Sequence, residues 1–181
     1  PAGPSNRAQP SARPGNRELM SVRSAIVGHA SGMESAESEA HREIRNLVAA
    51  YNAFGDRGRF DELMGLFEPD AVMEIGDGHT YEGADRIREI FTRTRGSVTS
   101  GAQSSYVQHH TSPAHITMVD QDHATGRSYF SVLMEHGLDH WGRYDDEYRR
   151  TDGNWRFARR RVRTDGFTPD GWAAQRLGDQ S

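Results

Sequence analysis

The pattern of apolar and polar residues changes character twice along the chain. Residues 1–38 hold few large apolar side chains and are rich in Pro, Gly, Ser, Ala and Arg. Such a segment buries too little apolar surface to offset its ordering entropy, so we predict a flexible N-terminal arm there. The pattern that follows predicts a domain at 39–168 and a C-terminal tail at 169–181.

Apolar residues recur every three or four positions in the first half of the domain, which is typical of helices. The first helix presents one apolar face, which consists of Ile44, Leu47, Val48, Tyr51 and Phe54. Pro69 separates the second helix from a predicted strand at 71–75. The spacing therefore predicts three helices, at 38–56, 60–67 and 84–94.

In the second half of the domain the period falls to two, which is typical of strands. Five strands are predicted, at 107–112, 114–119, 124–135, 140–150 and 154–163. Helices followed by long antiparallel strands favour an α+β fold, with the three N-terminal helices packed on the concave face of a curved mixed or antiparallel β-sheet. Such a sheet encloses a cone, and the mouth of the cone is a natural pocket.

Composition narrows the range of functions. The chain has 181 residues, no cysteine and a net charge of −4, so it offers neither a thiolate nucleophile nor a general attraction for nucleic acid. No apolar run approaches the roughly 20 residues that span a bilayer, and no membrane partner is expected. Without cysteine or a signal-peptide pattern, a cytoplasmic location is the default expectation.

Four stretches of the domain carry a family resemblance. They are Leu66–Val72, Tyr81–Gly83, Tyr144–Tyr148 and Asp152–Trp155. Together with the order of the elements, they resemble the SnoaL-like branch of the NTF2-like superfamily over residues 40–169. Within that branch the chain is similar to the hexachlorocyclohexane dehydrochlorinase, bile-acid 7α-dehydratase and scytalone dehydratase families.

The resemblance implies a cone-shaped NTF2-like fold and a cofactor-free lyase with a His-Asp dyad in the cone. The histidine of the dyad falls on His109 and the aspartate on Asp56. The tyrosine of the dehydratases falls on Tyr51, where the dehydrochlorinase has a lysine, so the resemblance favours dehydration. An arginine of the last strand falls on Arg160. An exposed sheet face in this fold also implies a homodimer or homotrimer.

The residues themselves give independent support for two of these assignments. An acidic residue in the last turn of a helix faces the negative end of the helix dipole, which costs about 0.3–1 kcal/mol. A buried partner such as His109 would explain Asp56 there, although Asp56 is equally consistent with a solvated charge beside two arginines. Because strand side chains alternate, only one of His109 and His110 can face the pocket. The alternative for His109 is a core histidine bonded to a backbone carbonyl.

A general base oriented by a carboxylate can remove a proton from a carbon next to a carbonyl. Tyr51 could donate to the developing enolate oxygen, and Arg160 could stabilise the same anion. Alternation places Arg160 on one strand face with Ala158 and Val162. Four further side chains are predicted to line the substrate pocket, namely Tyr144, Met73, Phe54 and Phe91.

The sequence thus predicts a cofactor-independent, dehydratase-like lyase that acts on a hydrophobic cyclic small molecule such as a steroid or polyketide. His136 and His140 do not form a convincing metal motif, so no metal is expected. The alternatives are an isomerase similar to polyketide cyclases or ketosteroid isomerase, and a non-catalytic ligand-binding or assembly module of the same fold.

Overall fold

The computed structural model describes residues 16–76, 78–100 and 106–177. The chain divides into two compact units, residues 1–38 and 39–181, and the second unit holds the sheet and the core. Four helices lie in the described part: α1 Asn16–Arg57, α2 Phe60–Met64, α3 Ala84–Ser100 and α4 Trp172–Leu177. None of the described helices is both long and apolar enough to cross a membrane.

The helices differ from the sequence prediction in three ways. Helix α1 begins at Asn16, well before Ser38, so part of the predicted arm is helical, while residues 1–15 lie outside the described residues. Helix α2 has only five residues, so the expectation of three N-terminal helices holds only in part. It ends early because Gly65 is followed by a strand that starts at Phe67 and runs through Pro69. Helix α4 was not predicted and occupies much of the predicted tail.

The described residues form seven strands in one sheet: β1 Phe67–Ile75, β2 His79–Glu82, β3 Gln108–Thr111, β4 His115–Met118, β5 His123–Met134, β6 Gly137–Thr151 and β7 Asn154–Phe167. The strand order is β2-β1-β7-β6-β5-β3, and β4 also pairs with β5. Strands β1 and β7 are parallel and all other neighbours are antiparallel. The five strands predicted in the second half are therefore confirmed, within a few residues, as parts of a mixed sheet.

The core forms where the apolar face of α1 meets one face of the sheet. Four residues of α1 are buried at helical spacing: Ile44, Leu47, Val48 and Tyr51. Alternate residues of β5 are buried opposite them, including Ser128, Phe130, Val132 and Met134. Helix α3 contributes Ile87, and α2 contributes Leu63, both fully buried. The apolar face of α1 and the buried face of the sheet thus pack together in one core. In this packing the C-terminal end of α1 lies against β3.

Two backbone features set the direction of β6 and β7. The hairpin between them turns at Asp152 and Gly153, which both have positive φ values, as a tight turn of this kind requires. At Gly142 the pairing with β7 shifts, and a Cβ there would lie 1.9 Å from the carbonyl oxygen of Arg163. Glycine is therefore needed at this irregularity, where β6 bends over the core.

Candidate active site

His109 and Asp56, which lie 53 residues apart in sequence, are in direct contact. Asp56 lies in the last turn of α1 and His109 on β3. The His109 Nδ1 atom is 2.6 Å from Asp56 Oδ1, and the His109 backbone N–H donates to Asp56 Oδ2 over 2.9 Å. One carboxylate therefore binds both the ring and the backbone of the same residue, and these two bonds offset its unfavourable place at the helix end.

A second contact fastens the same two elements together. Asn52 Nδ2 donates to Thr111 Oγ1 over 2.9 Å. Asn52 precedes Asp56 by one helical turn, and Thr111 follows His109 by two strand positions, so both pairs lie on the same helix and strand faces. Sequence reasoning missed this pair, although the spacings from Asp56 and His109 could have indicated it.

The Asp56 carboxylate determines which tautomer the His109 ring adopts. A neutral imidazole that donates from Nδ1 to Asp56 leaves its other nitrogen, Nε2, as a hydrogen-bond acceptor. His109 retains about 30% of its side-chain exposure and Asp56 about 18%. The arrangement thus presents a partly accessible imidazole base with a fixed orientation, while the adjacent His110 lies exposed on the strand.

Arg160, by contrast, is fully buried. Its Nε and Nη2 atoms donate to the two carboxylate oxygens of Asp146, each over 2.8 Å. The guanidinium carbon lies 4.0–4.2 Å from three ring centroids, those of Tyr51, Tyr144 and Phe157. Burial disfavours the charged form, but the Asp146 carboxylate outweighs it and raises the pKa of Arg160. Arg160 is therefore a paired cation packed among aromatic rings.

A β-bulge places Arg160 inside. The pairing of β6 with β7 shifts between Tyr148–Phe157 and Glu147–Arg159, which leaves Ala158 as an extra residue. Phe157 and Arg160 are consequently both buried although they are three positions apart. The prediction that Ala158 lies on the same strand face as Arg160 assumed strict alternation and was therefore wrong. The bulge adds one residue, so the residues of β7 before Arg160 face the opposite way from the alternation pattern.

Tyr51 and Tyr144 lie beside this buried cation. Their ring centroids are 6.0 Å apart in an edge-to-face arrangement. Burial raises the pKa of both hydroxyls, whereas the positive charge of Arg160 lowers it. The negative charge of Asp56 adds to the increase in the pKa of both tyrosines. At neutral pH both are therefore protonated and able to donate a hydrogen bond.

The other predicted lining residues differ in accessibility. Met73 is buried in the core, in register with Arg160. Phe91 is partly buried and contacts Tyr51 edge to face at 5.9 Å. Phe54 is also partly buried, and Arg59 lies over its ring at 4.8 Å. Of these three, Phe54 and Phe91 keep part of their surface accessible, whereas Met73 does not.

A second histidine–aspartate pair lies on β6 and was missed by sequence reasoning. His140 Nδ1 is 2.6 Å from Asp139 Oδ2, and Asp139 is fully buried. The parity that relates Tyr144 to Gly142 and Asp146 extends by one further step to His140. Strand alternation could therefore have predicted that His140 points inward. Its contact with Asp139 could not be predicted in this way, because it depends on the irregular pairing at the start of β6.

Acidification is expected to destabilise the protein through His140. Burial lowers the pKa of His140 below its usual 6.5; His109 lowers it further and Asp139 opposes the shift. The unfolded chain therefore takes up this proton at a higher pH than the folded chain does. As a result, the His140 contribution to the free energy of unfolding is fully present above pH 6.5 and decreases as the pH falls below 6.5.

Urea unfolding above and below pH 6.5 tests this expectation. The loss of unfolding free energy on acidification should be smaller in His140→Gln than in the wild type. The charged or titratable groups that face His140 are Asp139, His109 and, through Asp139, His136. An equal loss in both proteins would contradict a lowered pKa at His140.

Two concavities lie on the other face of the sheet. One of about 760 Å³ is lined mainly by charged residues of β5, β6 and β7. Another of about 450 Å³ is bordered by His110, Tyr129 and Trp141. Neither of the two is lined by His109 or Asp56. In the described part of the chain no cluster of three His, Asp or Glu side chains is arranged to hold a metal ion.

Comparison with known proteins identifies relatives of this architecture. The SnoaL-like domain family matches residues 36–161. No curated protein sequence matches the chain. A candidate scytalone dehydratase from Novosphingobium aromaticivorans is 24% identical, with a TM-score of 0.65 over 75% of this chain and 90% of the other.

Two further structures are similar. A protein of unknown function from Mycobacterium tuberculosis is 28% identical, with a TM-score of 0.63 over 74% of this chain and 76% of the other. A type 3 LinA hexachlorocyclohexane dehydrochlorinase from Novosphingobium barchaimii is 18% identical, with a TM-score of 0.63 over 75% and 92%. At identities below 25%, the dehydratase and dehydrochlorinase likenesses show a shared fold.

Proposed function

Because the chain belongs to the SnoaL-like domain family, we propose that it is a cofactor-independent, dehydratase-like lyase. Its substrate is a hydrophobic cyclic small molecule, such as a steroid or polyketide, that carries a hydroxyl group β to a ketone. The observation that carries the proposal is the double hydrogen bond from Asp56 to the ring and backbone of His109. Similar structures named as a dehydratase and a dehydrochlorinase, both eliminating enzymes, add support.

His109 begins the reaction as a general base. Its Nε2 atom takes the proton from the carbon between the ketone and the hydroxyl-bearing carbon, and the electron pair moves to the ketone oxygen as an enolate. The enolate then re-forms the ketone, a carbon–carbon double bond forms, and the carbon–oxygen bond breaks. The departing hydroxyl takes the proton back from His109 and leaves as water.

Tyr51 stabilises the enolate by donating its hydroxyl hydrogen. The proximity of Arg160 makes this hydroxyl more acidic than burial alone would, which strengthens the hydrogen bond to an anion. The Nε and Nη2 atoms of Arg160 are held by Asp146, whereas Nη1 is buried without a hydrogen-bond partner, and we assign Arg160 to act through Tyr51 as a positioning residue. The sequence expectation was that Arg160 stabilises the same anion by its positive charge, and in this assignment that charge acts through the hydroxyl of Tyr51.

Dehydration of β-hydroxytetralone tests the proposal. Loss of water from this bicyclic β-hydroxy ketone gives a fluorescent naphthol, so the reaction can be followed continuously. The wild-type protein is expected to accelerate naphthol formation over the buffer rate, and His109→Ala is expected to lose the acceleration. Equal rates with the wild type and with His109→Ala would overturn the mechanism.

A non-catalytic binding module is the second candidate, and one observation favours it. The inner part of the cone is filled by packed side chains, because Arg160, Tyr51, Tyr144 and Phe157 are all buried against one another. A module of this kind would bind a cyclic ketone without turning it over.

Isomerisation would use the same base and return its proton to a different carbon, so it would appear as double-bond migration without loss of water.

A further inference from the structure

The face of the sheet that points away from the core, called the outer face below, carries the concavity of about 760 Å³. Five arginines line this concavity: Arg127, Arg143, Arg159, Arg161 and Arg163. Only two of the acidic residues that line it, Asp145 and Glu147, share this face, because Asp146 points inward to Arg160. Cations therefore outnumber anions along its walls.

Arg163 differs from the other arginines of this concavity. The other four have carboxylate partners: Arg127 pairs with Asp145, Arg143 pairs with Asp165, and Arg159 and Arg161 share Glu74. The guanidinium of Arg163 is exposed and makes no ion pair or hydrogen bond with the described residues. The pKa of Glu74 is lowered mainly by its hydrogen bond from Arg161, and the charge of Arg163 contributes least to that shift. Arg163 is thus a cation whose charge is not matched by a contacting carboxylate.

The strand register places Arg163 directly beside a second cation. Arg143 on β6 pairs with Arg163 on β7, and Tyr129 on β5 pairs with Arg143. Directly paired residues of antiparallel strands point to the same face, so these three side chains form a row across the outer face. Like charges that lie directly opposite each other destabilise a sheet. An anion bound between the two guanidinium groups would relieve this repulsion.

The carboxylates of the outer face leave this row positive. Asp145 is next to Arg143 on the same face of β6, but Arg127 holds it through Nε over 2.5 Å. Glu147 lies four positions from Arg143, which is about 13 Å along the strand. Asp165 engages only the Nη1 atom of Arg143, so the other N–H groups of that guanidinium remain available to a ligand.

An exposed aromatic ring lies at the other end of the row. Tyr129 is 62% exposed, which is unusual for a large aromatic side chain in a sheet. Tyr129 and Arg163 are two strand spacings apart, about 10 Å between their backbones. An anionic group over the arginines and a flat ring against Tyr129 can therefore belong to one small molecule.

We propose that Arg143 and Arg163 bind the phosphate group of a small aromatic phosphate ester, and that the ring of this ester lies against Tyr129. Guanidinium groups match phosphate oxygens with two parallel hydrogen bonds, and a phosphate ester carries nearly two negative charges at pH 7. Two adjacent cations suit such a group better than a singly charged carboxylate. The site is on the opposite face of the sheet from His109 and Asp56, so its ligand is independent of the lyase substrate.

Isothermal titration calorimetry at low ionic strength tests the site with phenyl phosphate, inorganic phosphate and phenol as probes. Phenyl phosphate is expected to bind the wild type at least tenfold more tightly than phenol. In Arg163→Gln its affinity should fall roughly tenfold, since one charge-assisted contact is lost. In Tyr129→Ser the affinity for phenyl phosphate should fall roughly threefold, while that for inorganic phosphate stays unchanged.

Thermal unfolding separates a ligand-binding arginine from one that supports the fold. Without ligand, Arg163→Gln should unfold at the same temperature as the wild type or at a higher one, because the repulsion with Arg143 is removed. Phenyl phosphate should raise the Tm of the wild type and leave that of Arg163→Gln nearly unchanged. A lower Tm of Arg163→Gln without ligand, together with an equal rise in both proteins, would assign Arg163 a structural role and overturn the proposal.

Arg93→Gln is the matched control, since it removes the same charge from another part of the chain. Arg93 lies on α3, is about 68% exposed in its side chain and pairs with Glu89. This variant should keep the wild-type affinity for phenyl phosphate. Equal losses in Arg93→Gln and Arg163→Gln would show that only the overall charge attracts the phosphate, which would overturn a site at Arg143 and Arg163.

Two further outcomes would also overturn the proposal. The first is that phenyl phosphate binds neither the wild type nor any variant. The second is an absence of binding combined with an oligomer that dissociates in Arg163→Glu, as measured by sedimentation. That result would show that a second copy of the chain covers the outer face in place of a phosphate ester.

Discussion

Replacing His109 with alanine is expected to lower kcat/KM for dehydration by about a hundred- to ten-thousand-fold, the usual contribution of a general base. The variant removes the imidazole ring that Asp56 orients, while the hydrogen bond from the backbone N–H of residue 109 to Asp56 can persist. Circular dichroism and unfolding should therefore show a folded protein. Steady-state rates across pH measure the effect, and a loss of less than tenfold would contradict the role of His109.

Asp56→Asn should produce a loss of similar size through the tautomer of His109. The asparagine oxygen can accept the backbone N–H of His109, which then turns the amide NH₂ towards Nδ1. An amide that donates to Nδ1 moves the ring proton to Nε2, so the basic nitrogen faces away from the substrate. Histidine NMR should show this change of tautomer. Full activity of Asp56→Asn would mean that the aspartate is not needed to orient the base.

Replacing Arg160 with methionine is expected to lower the free energy of unfolding by about 3–5 kcal/mol, because it leaves the buried Asp146 carboxylate without its cation. Tyr148, which donates to Asp146 Oδ2 over 2.9 Å, cannot compensate for the lost charge. Guanidinium unfolding measures the loss. The double variant Arg160→Met with Asp146→Leu should recover much of it, since it removes both members of the pair.

Arg161→Met provides the matched control on the same strand. Arg161 pairs with Glu74 and keeps about 37% of its side-chain exposure. The loss of an exposed ion pair should cost less than about 1 kcal/mol. Equal destabilisation by Arg160→Met and Arg161→Met would show that burial of the Arg160–Asp146 pair does not determine its contribution.

Much of the fold follows from short-range patterns. The burial of β5 alternates as its sequence predicts, and the apolar face of α1 follows helical spacing. The family resemblance is confirmed by the match over residues 36–161. Helix lengths were less predictable: the start of α1 at Asn16 has no apolar signal, and α2 is shortened because Phe67 pairs with Phe157. Pairing between distant strands therefore overrides local helical preference.

Residue types and local periods, which the sequence alone determines, allowed only one of His109 and His110 to face the pocket and identified Asp56 as an unfavourable charge at a helix end, and the family resemblance then selected His109. The tertiary structure decided which groups meet: Asp56 with His109, Arg160 with Asp146, and His140 with Asp139. The reason is physical. Helix and strand periods act over a few residues, whereas bulges, bends and strand register depend on contacts between segments that are distant in sequence.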